Sequence, residues 1–127
     1  LDEAKKYSLE RYAFGKQIGA FQALKHKMAD MYVKIELAKS NAYYGAWALS
    51  SDSNELPVAA AGARVSAIDA YHYASKENIQ IHGGVGFTWE YDCHLFYRRA
   101  KQLALNIGSV RQWKENLISN LEKRNIV

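Results

Sequence analysis

Cysteine and proline are almost missing from this sequence, with one of each in 127 residues. A lone Cys93 excludes an internal disulfide and fits a reducing compartment. A lone Pro57, with no glycine between Gly45 and Gly62, leaves long stretches without a helix breaker. No apolar run approaches the ~20 residues that a bilayer-crossing helix needs. No signal peptide opens the chain: Leu1-Asp2-Glu3-Ala4-Lys5-Lys6 reads as the middle of a helix, as in a piece of a longer polypeptide or a trimmed chain. No Glu-x-x-His occurs, which removes the paired motif of a di-iron bundle. Cys93 and His94 are adjacent instead of spaced for one ion, and no metal site is expected. Nor is there a strong charge of one sign. The formal charge of +4 comes from basic residues scattered among acids, a poor match to nucleic acid and weak support for an anionic ligand.

What remains is rich in helix-building material. Hydrophobic residues make up 49% of the chain, with 9 tyrosines and 3 tryptophans, enough for one domain with a buried core. Helical spacing runs from Leu1 to about Tyr12 and breaks at Phe14-Gly15. A longer helix is expected to open at Gly19 or Ala20. Its stripe passes through Phe21, Leu24, Met28, Met31 or Tyr32, Ile35, Ala38, Ala42 and Tyr43 towards Trp47. The polar run Ser50-Ser51-Asp52-Ser53-Asn54 reads as a loop, with Asn54 as N-cap and Pro57 in the first turn of a third helix. Val58, Ala61, Val65, Ile68, His72, Ser75 and Ile79 then step to Gly83, and the small residues 59–63 allow a neighbouring helix to approach closely. A fourth helix spans Cys93 to about Leu105. Ser109 and Gln112 form a capping box for a short last helix to about Leu121. The expected fold is all-α, an antiparallel up-and-down four-helix bundle with a short extra C-terminal helix.

Two segments do not fit plain bundle chemistry. Gln80-Ile81-His82-Gly83-Gly84-Val85-Gly86-Phe87 has three glycines in four positions at the end of a helix. A helix C-cap followed by a tight turn accounts for them, as does a place where a pyrophosphate or flat ring touches bare backbone. Gln80 adds a side-chain amide there. Arg11 precedes Phe14-Gly15; a cation at a helix C-terminus commonly opposes the dipole, but a guanidinium can also grip a phosphate by two parallel hydrogen bonds.

In order, Leu9-Glu10-Arg11-Tyr12-Ala13-Phe14-Gly15-Lys16, Phe21-Gln22, Met28-Ala29-Asp30-Met31, Gln80 through Tyr91 and Arg98-Arg99-Ala100-Lys101 resemble the C-terminal helical domain of the acyl-CoA dehydrogenases. The resemblance covers essentially the whole chain. It implies FAD as cofactor, an acyl-CoA substrate dehydrogenated to a trans-2-enoyl-CoA, and an electron-transferring flavoprotein as electron acceptor. It implies a dimer, tetramer or heteromer in the cytoplasm or mitochondrial matrix, with this bundle reaching the FAD of a neighbouring subunit. By the same resemblance Arg11 binds the pyrophosphate, Phe14 packs near the flavin rings, and Phe21 and Gln22 lie along the cofactor. Gln80, Ile81, His82, Gly83 and Gly84 hold its adenosine-diphosphate end, and Ser109 offers a hydroxyl. Ala13 stands where many members carry a hydroxyl residue.

The sequence departs from the family's pattern at the base. Asn106-Ile107-Gly108-Ser109 occupies the place of a Tyr-Glu-Gly-Thr segment, and the alkyl side chain of Ile107 cannot take a proton. Arg111 replaces a usual glutamine, and Glu90 matches a structural acid. No catalytic residue is therefore assigned within the chain. A base upstream of Leu1 is one explanation. Others are a non-catalytic oligomerisation module or partner subunit, or a flavin monooxygenase or oxidase of the same fold.

Overall fold

The computed structural model describes residues 1–125. Five helices carry the fold: α1 (Asp2–Glu10), α2 (Gln22–Ser50), α3 (Leu56–His82), α4 (Cys93–Leu105) and α5 (Val110–Asn125). A two-stranded antiparallel hairpin, β1 (Tyr12–Ala13) and β2 (Lys16–Gln17), follows α1, and short 3-10 turns cover Ile18–Ala20 and Gly83–Phe87. Among the described residues no helix is long and apolar enough to cross a membrane.

α3 is the central element, packed by α1, α2, α4 and α5. Near its C-terminal end Ala74, Ser75, Glu77, Asn78, Ile79, Ile81 and His82 are all buried, so this part is covered on most sides, with Lys76 and Gln80 left exposed. Small residues set how close α2 comes. A Cβ placed on Gly45 would lie 3.5 Å from the Ala63 Cβ and 3.6 Å from the Ala59 carbonyl oxygen, which is ordinary contact distance. The main buried cluster joins Ala4, Met31, Ala74 and Ile81, with Tyr7, Leu24, Met28 and Ile35 against it. Across the α2–α3 seam, Lys27 Nζ donates to Glu77 Oε2 at 2.5 Å, which neutralises an otherwise buried carboxylate. Beside the first turn of α1 lies an apolar cleft of about 660 Å³, with walls that include Ile35, Ala38, Ala42, Ala70, Ala74 and Phe96.

Several boundaries differ from the sequence expectation, each for a local reason. α1 stops at Glu10 instead of Tyr12, because the chain turns into the hairpin and the Gln17 side-chain amide donates to Leu9 O at 2.6 Å. The second helix opens at Gln22, after the 3-10 turn takes Ile18–Ala20. Glu55, not Asn54, is the N-cap of α3, and the Ser53 hydroxyl accepts from Glu55 N in the loop before it. The last helix is not short: it runs to Asn125, and Arg124 in it lies 3.6 Å from Glu55. Beyond Ala38 the expected α2 stripe is wrong, since Ala42, Tyr43 and Trp47 are exposed while Ala48 is buried.

Candidate functional site

The backbone of Arg11 is held from both sides. Its N–H donates to Tyr7 O at 2.9 Å, and its carbonyl accepts from Ile18 N at 2.8 Å. Its side chain is exposed and, among the described residues, enters no ion pair. The hairpin that follows turns through Phe14 (φ 53) and Gly15 (φ 77), both left-handed, as a two-residue turn between twisted strands requires. Glycine suits this region; phenylalanine pays roughly 1 kcal/mol to enter it. Phe14 is also 95% exposed, touching Phe21 edge-on at a centroid distance of 6.3 Å.

The glycine-rich segment divides into three roles. Gly83 closes α3 with φ 65 and ψ −141, a conformation open to glycine. Gly86 is a packing glycine: a Cβ there would meet Ile79 O at 2.8 Å and His82 Cβ at 3.1 Å. Gly84 is different, because a Cβ there would meet nothing within 4 Å. Neither turn geometry nor packing demands its bare backbone.

His82 fixes the corner from behind. It is 3% exposed and stacks on Tyr7 at a centroid distance of 4.2 Å. Its Nδ1 donates to Asn78 O at 2.8 Å, and its buried Nε2 has no partner among the described residues.

Two cavities meet at this corner. One, of about 420 Å³, has Arg11, Tyr7, His82, Gly83, Gly84 and Thr88 in its wall. The other, of about 630 Å³, lies between α3 and α4; it shares Gly83 and Gly84 and adds His72, Lys76, Gln80, Tyr97 and Lys101. Arg11, Gln80, Ile81, His82, Gly83 and Gly84 therefore gather around one corner, Ile81 also serving the core. Phe14, Phe21, Gln22 and Ser109 line neither cavity. Phe21 is tied to Phe14 by ring contact, and Gln22 begins α2 in solvent. The Ser109 hydroxyl accepts from Gln112 N at 3.2 Å as a helix cap. Ile107 is 61% exposed, and only its carbonyl is engaged, by Trp113 Nε1 at 2.7 Å.

The sequence reading missed the wall of the second cavity. The signal was available: His72, Lys76 and Gln80 recur every fourth residue on one face of α3, and Tyr97 and Lys101 do so on α4. Burial is the main cause that pushes the His72 imidazole below its ordinary pKa, and the nearby Lys101 and Lys76 add to it.

These features define a helical-bundle domain that presents a cation and bare backbone at an open corner. A family model described as the acyl-CoA dehydrogenase C-terminal domain matches residues 1–110. The chain belongs to that family, whose members use FAD. It is 41% identical over 118 residues to the acyl-CoA dehydrogenase IpdE2 of Mycobacterium tuberculosis, covering 91% of this chain and 35% of that protein. Among solved structures, the butyryl-CoA dehydrogenase of Megasphaera elsdenii superposes with TM-score 0.90 at 30% identity, over 95% of this chain and 31% of the other. A chain in the structure of the electron transferring flavoprotein of Acidaminococcus fermentans gives TM-score 0.90 at 34% identity, over 94% of this chain and 31% of the other. The chain thus spans about a third of the length of these relatives.

Proposed function

We propose that this chain is the C-terminal part of a longer FAD-dependent acyl-CoA dehydrogenase, in which it supplies one wall of the cofactor site and part of a subunit interface. The observation that carries the reading is the meeting of Arg11 and the unobstructed Gly84 in one cavity wall, although they are far apart in sequence.

The residues fit the group. A dinucleotide's pyrophosphate needs a cation and close backbone approach, and the Gly84 backbone is open, with nothing within 4 Å of where a Cβ would stand. The unpartnered Nε2 of buried His82 stands behind the same wall, keeping its ring and the corner in place through the Nδ1 bond and the Tyr7 stack. Arg11 would bind phosphate oxygens, Gln80 would donate from its amide, and Phe14 would offer a ring face. The flavin, when bound, supplies the acceptor for the hydride lost from an acyl-CoA thioester. The base that takes the accompanying proton lies outside these residues in this reading, since Ile107 has only an alkyl chain at the usual place.

Completion by other parts of the enzyme is supported by what the bundle leaves uncovered. Phe14, Tyr43, Phe87, Trp89 and Leu105 are each at least 75% exposed, large apolar side chains that a neighbouring subunit or domain could cover. A homo-oligomer or heteromer would cover them, and an electron-transferring flavoprotein would collect the electrons. Expression of the full-length parent tests the reading: Arg11→Ala should lose flavin on gel filtration while wild type stays yellow. Equal flavin content in both would defeat it.

A further inference from the structure

The cavity between α3 and α4 has a charge character that the dinucleotide corner alone does not require. Lys76 comes from α3 and Lys101 from α4, and no carboxylate lines the space. The Lys101 ammonium lies 5.4 Å from the centroid of the Tyr97 ring, and the His72 ring lies 5.9 Å from the same ring. Asp69, the acid one turn before His72, is paired with Lys34 Nζ at 2.6 Å and does not line the space. His72 is held towards its neutral form, so the two ammonium groups set the charge of the cavity. The ring and amide groups of Phe87, Tyr97 and Gln80 complete a wall with both flat and polar surface.

We infer that Lys76 and Lys101 form a phosphate subsite for a nucleotide, next to the Gly83–Gly84 corner and separate from Arg11. This rests on the proposed dinucleotide reading and deepens it. Arg11 and the lysine pair together supply three positive charges, whereas a pyrophosphate diester carries two negative ones. The two lysines match the dianion of a phosphate monoester, and two compact ammonium groups on flexible stems can converge on such a group from neighbouring helices. A flavin dinucleotide holds only that pyrophosphate diester, so the monoester belongs to a second nucleotide.

The experiment uses the full-length flavoprotein with Lys76→Gln and Lys101→Gln, singly and together, beside Lys76→Arg with Lys101→Arg and Arg11→Ala. Both lysines are exposed, so unchanged melting temperatures check that the variants fold. Flavin release on dilution and calorimetric binding of adenosine 3′,5′-bisphosphate to the flavin-saturated protein are measured. Flavin retention is unchanged in the lysine variants, but the bisphosphate binds wild type, loses about 10- to 100-fold in the double Gln variant and is restored by the arginine pair. Flavin lost from the double Gln variant would assign the lysines to the dinucleotide and overturn the inference. Flavin lost from Arg11→Ala, with both lysine readouts at wild-type values, overturns the inference and leaves the dinucleotide reading standing. Flavin retained in Arg11→Ala overturns that reading instead.

Discussion

Gly84 and Gly86 sit two residues apart in one 3-10 turn, yet substitution should move stability in opposite directions. At Gly86 an alanine methyl would fall 2.8 Å from Ile79 O, 3.1 Å from His82 Cβ and 3.2 Å from Ile79 Cα. Two of these are backbone atoms of α3 that cannot rotate away, so overpacking should cost roughly 1–3 kcal/mol. For a domain of this size that lowers Tm by about 4–12 °C. At Gly84 the same methyl meets nothing within 4 Å, and its φ is not left-handed. Gly84→Ala should then raise stability by about 0.4–1 kcal/mol, because the unfolded chain loses freedom. Its effect on the proposed ligand should be the reverse, since Gly84 lines both cavities and a side chain would keep a ligand from its backbone. On the proposed cofactor reading, Gly84→Leu should empty the full-length protein of flavin while leaving the melting temperature of the apo form at or above wild type. Circular-dichroism melts and the 450 nm to 280 nm absorbance ratio of each variant provide the comparison. A Gly84→Leu protein that stays yellow, or a Gly84→Ala protein that melts like Gly86→Ala, would refute the division of labour among these glycines.

Other outcomes follow from single contacts. Lys27→Met leaves buried Glu77 unpaired and should cost about 1–2 kcal/mol in urea unfolding, the lower range reflecting Lys27's partial exposure. The Glu77 hydrogen bond raises the Lys27 pKa above its ordinary value, against an opposing effect of burial. That contribution is therefore fully present below the ordinary lysine range and is lost as pH rises through the higher folded value; a wild-type stability profile that stays flat through strongly alkaline pH would contradict it. Gln17→Ala removes the amide bound to Leu9 O at the end of α1 and should lower stability by about 1 kcal/mol, measured by denaturant titration. Burial pushes the Cys93 thiol up, and the residue is 2% exposed, so a thiol reagent at pH 8 should modify it at least ~100-fold more slowly than free cysteine.

The long helices were legible because no proline falls between Gln22 and Ser50 or between Val58 and His82, and one glycine in each span, Gly45 and Gly62, is too little to interrupt a helix of that length. The fourth helix was read to its residues, Cys93 to Leu105, because turn-forming residues bracket it. The end of α1 was not legible, since its cap comes from Gln17, a partner that only the hairpin brings back. The second half of the α2 stripe failed for a different reason. Hydrophobicity ranks Tyr43 and Trp47 above Gly45 and Ala48, but the close approach of α3 selects the smaller side chains and turns the aromatics outward. At the corner, the residue pattern alone did not separate Gly84 from Gly86; only the family resemblance put Gly84, and not Gly86, beside a cofactor. That distinction depends on where a Cβ would point, which is a property of the folded backbone.

Phe14 brings these threads together. A residue with an unfavourable left-handed backbone is normally repaid by burial of its side chain, yet this ring is almost entirely in solvent. Its edge contact with Phe21, worth about 0.5–1 kcal/mol, at best balances the backbone term. Glycine at this position should therefore fold about as well as phenylalanine. A ring held out at such a turn, just after Arg11, adds little to the bundle itself, and the proposed cofactor site and subunit interface would give it a partner.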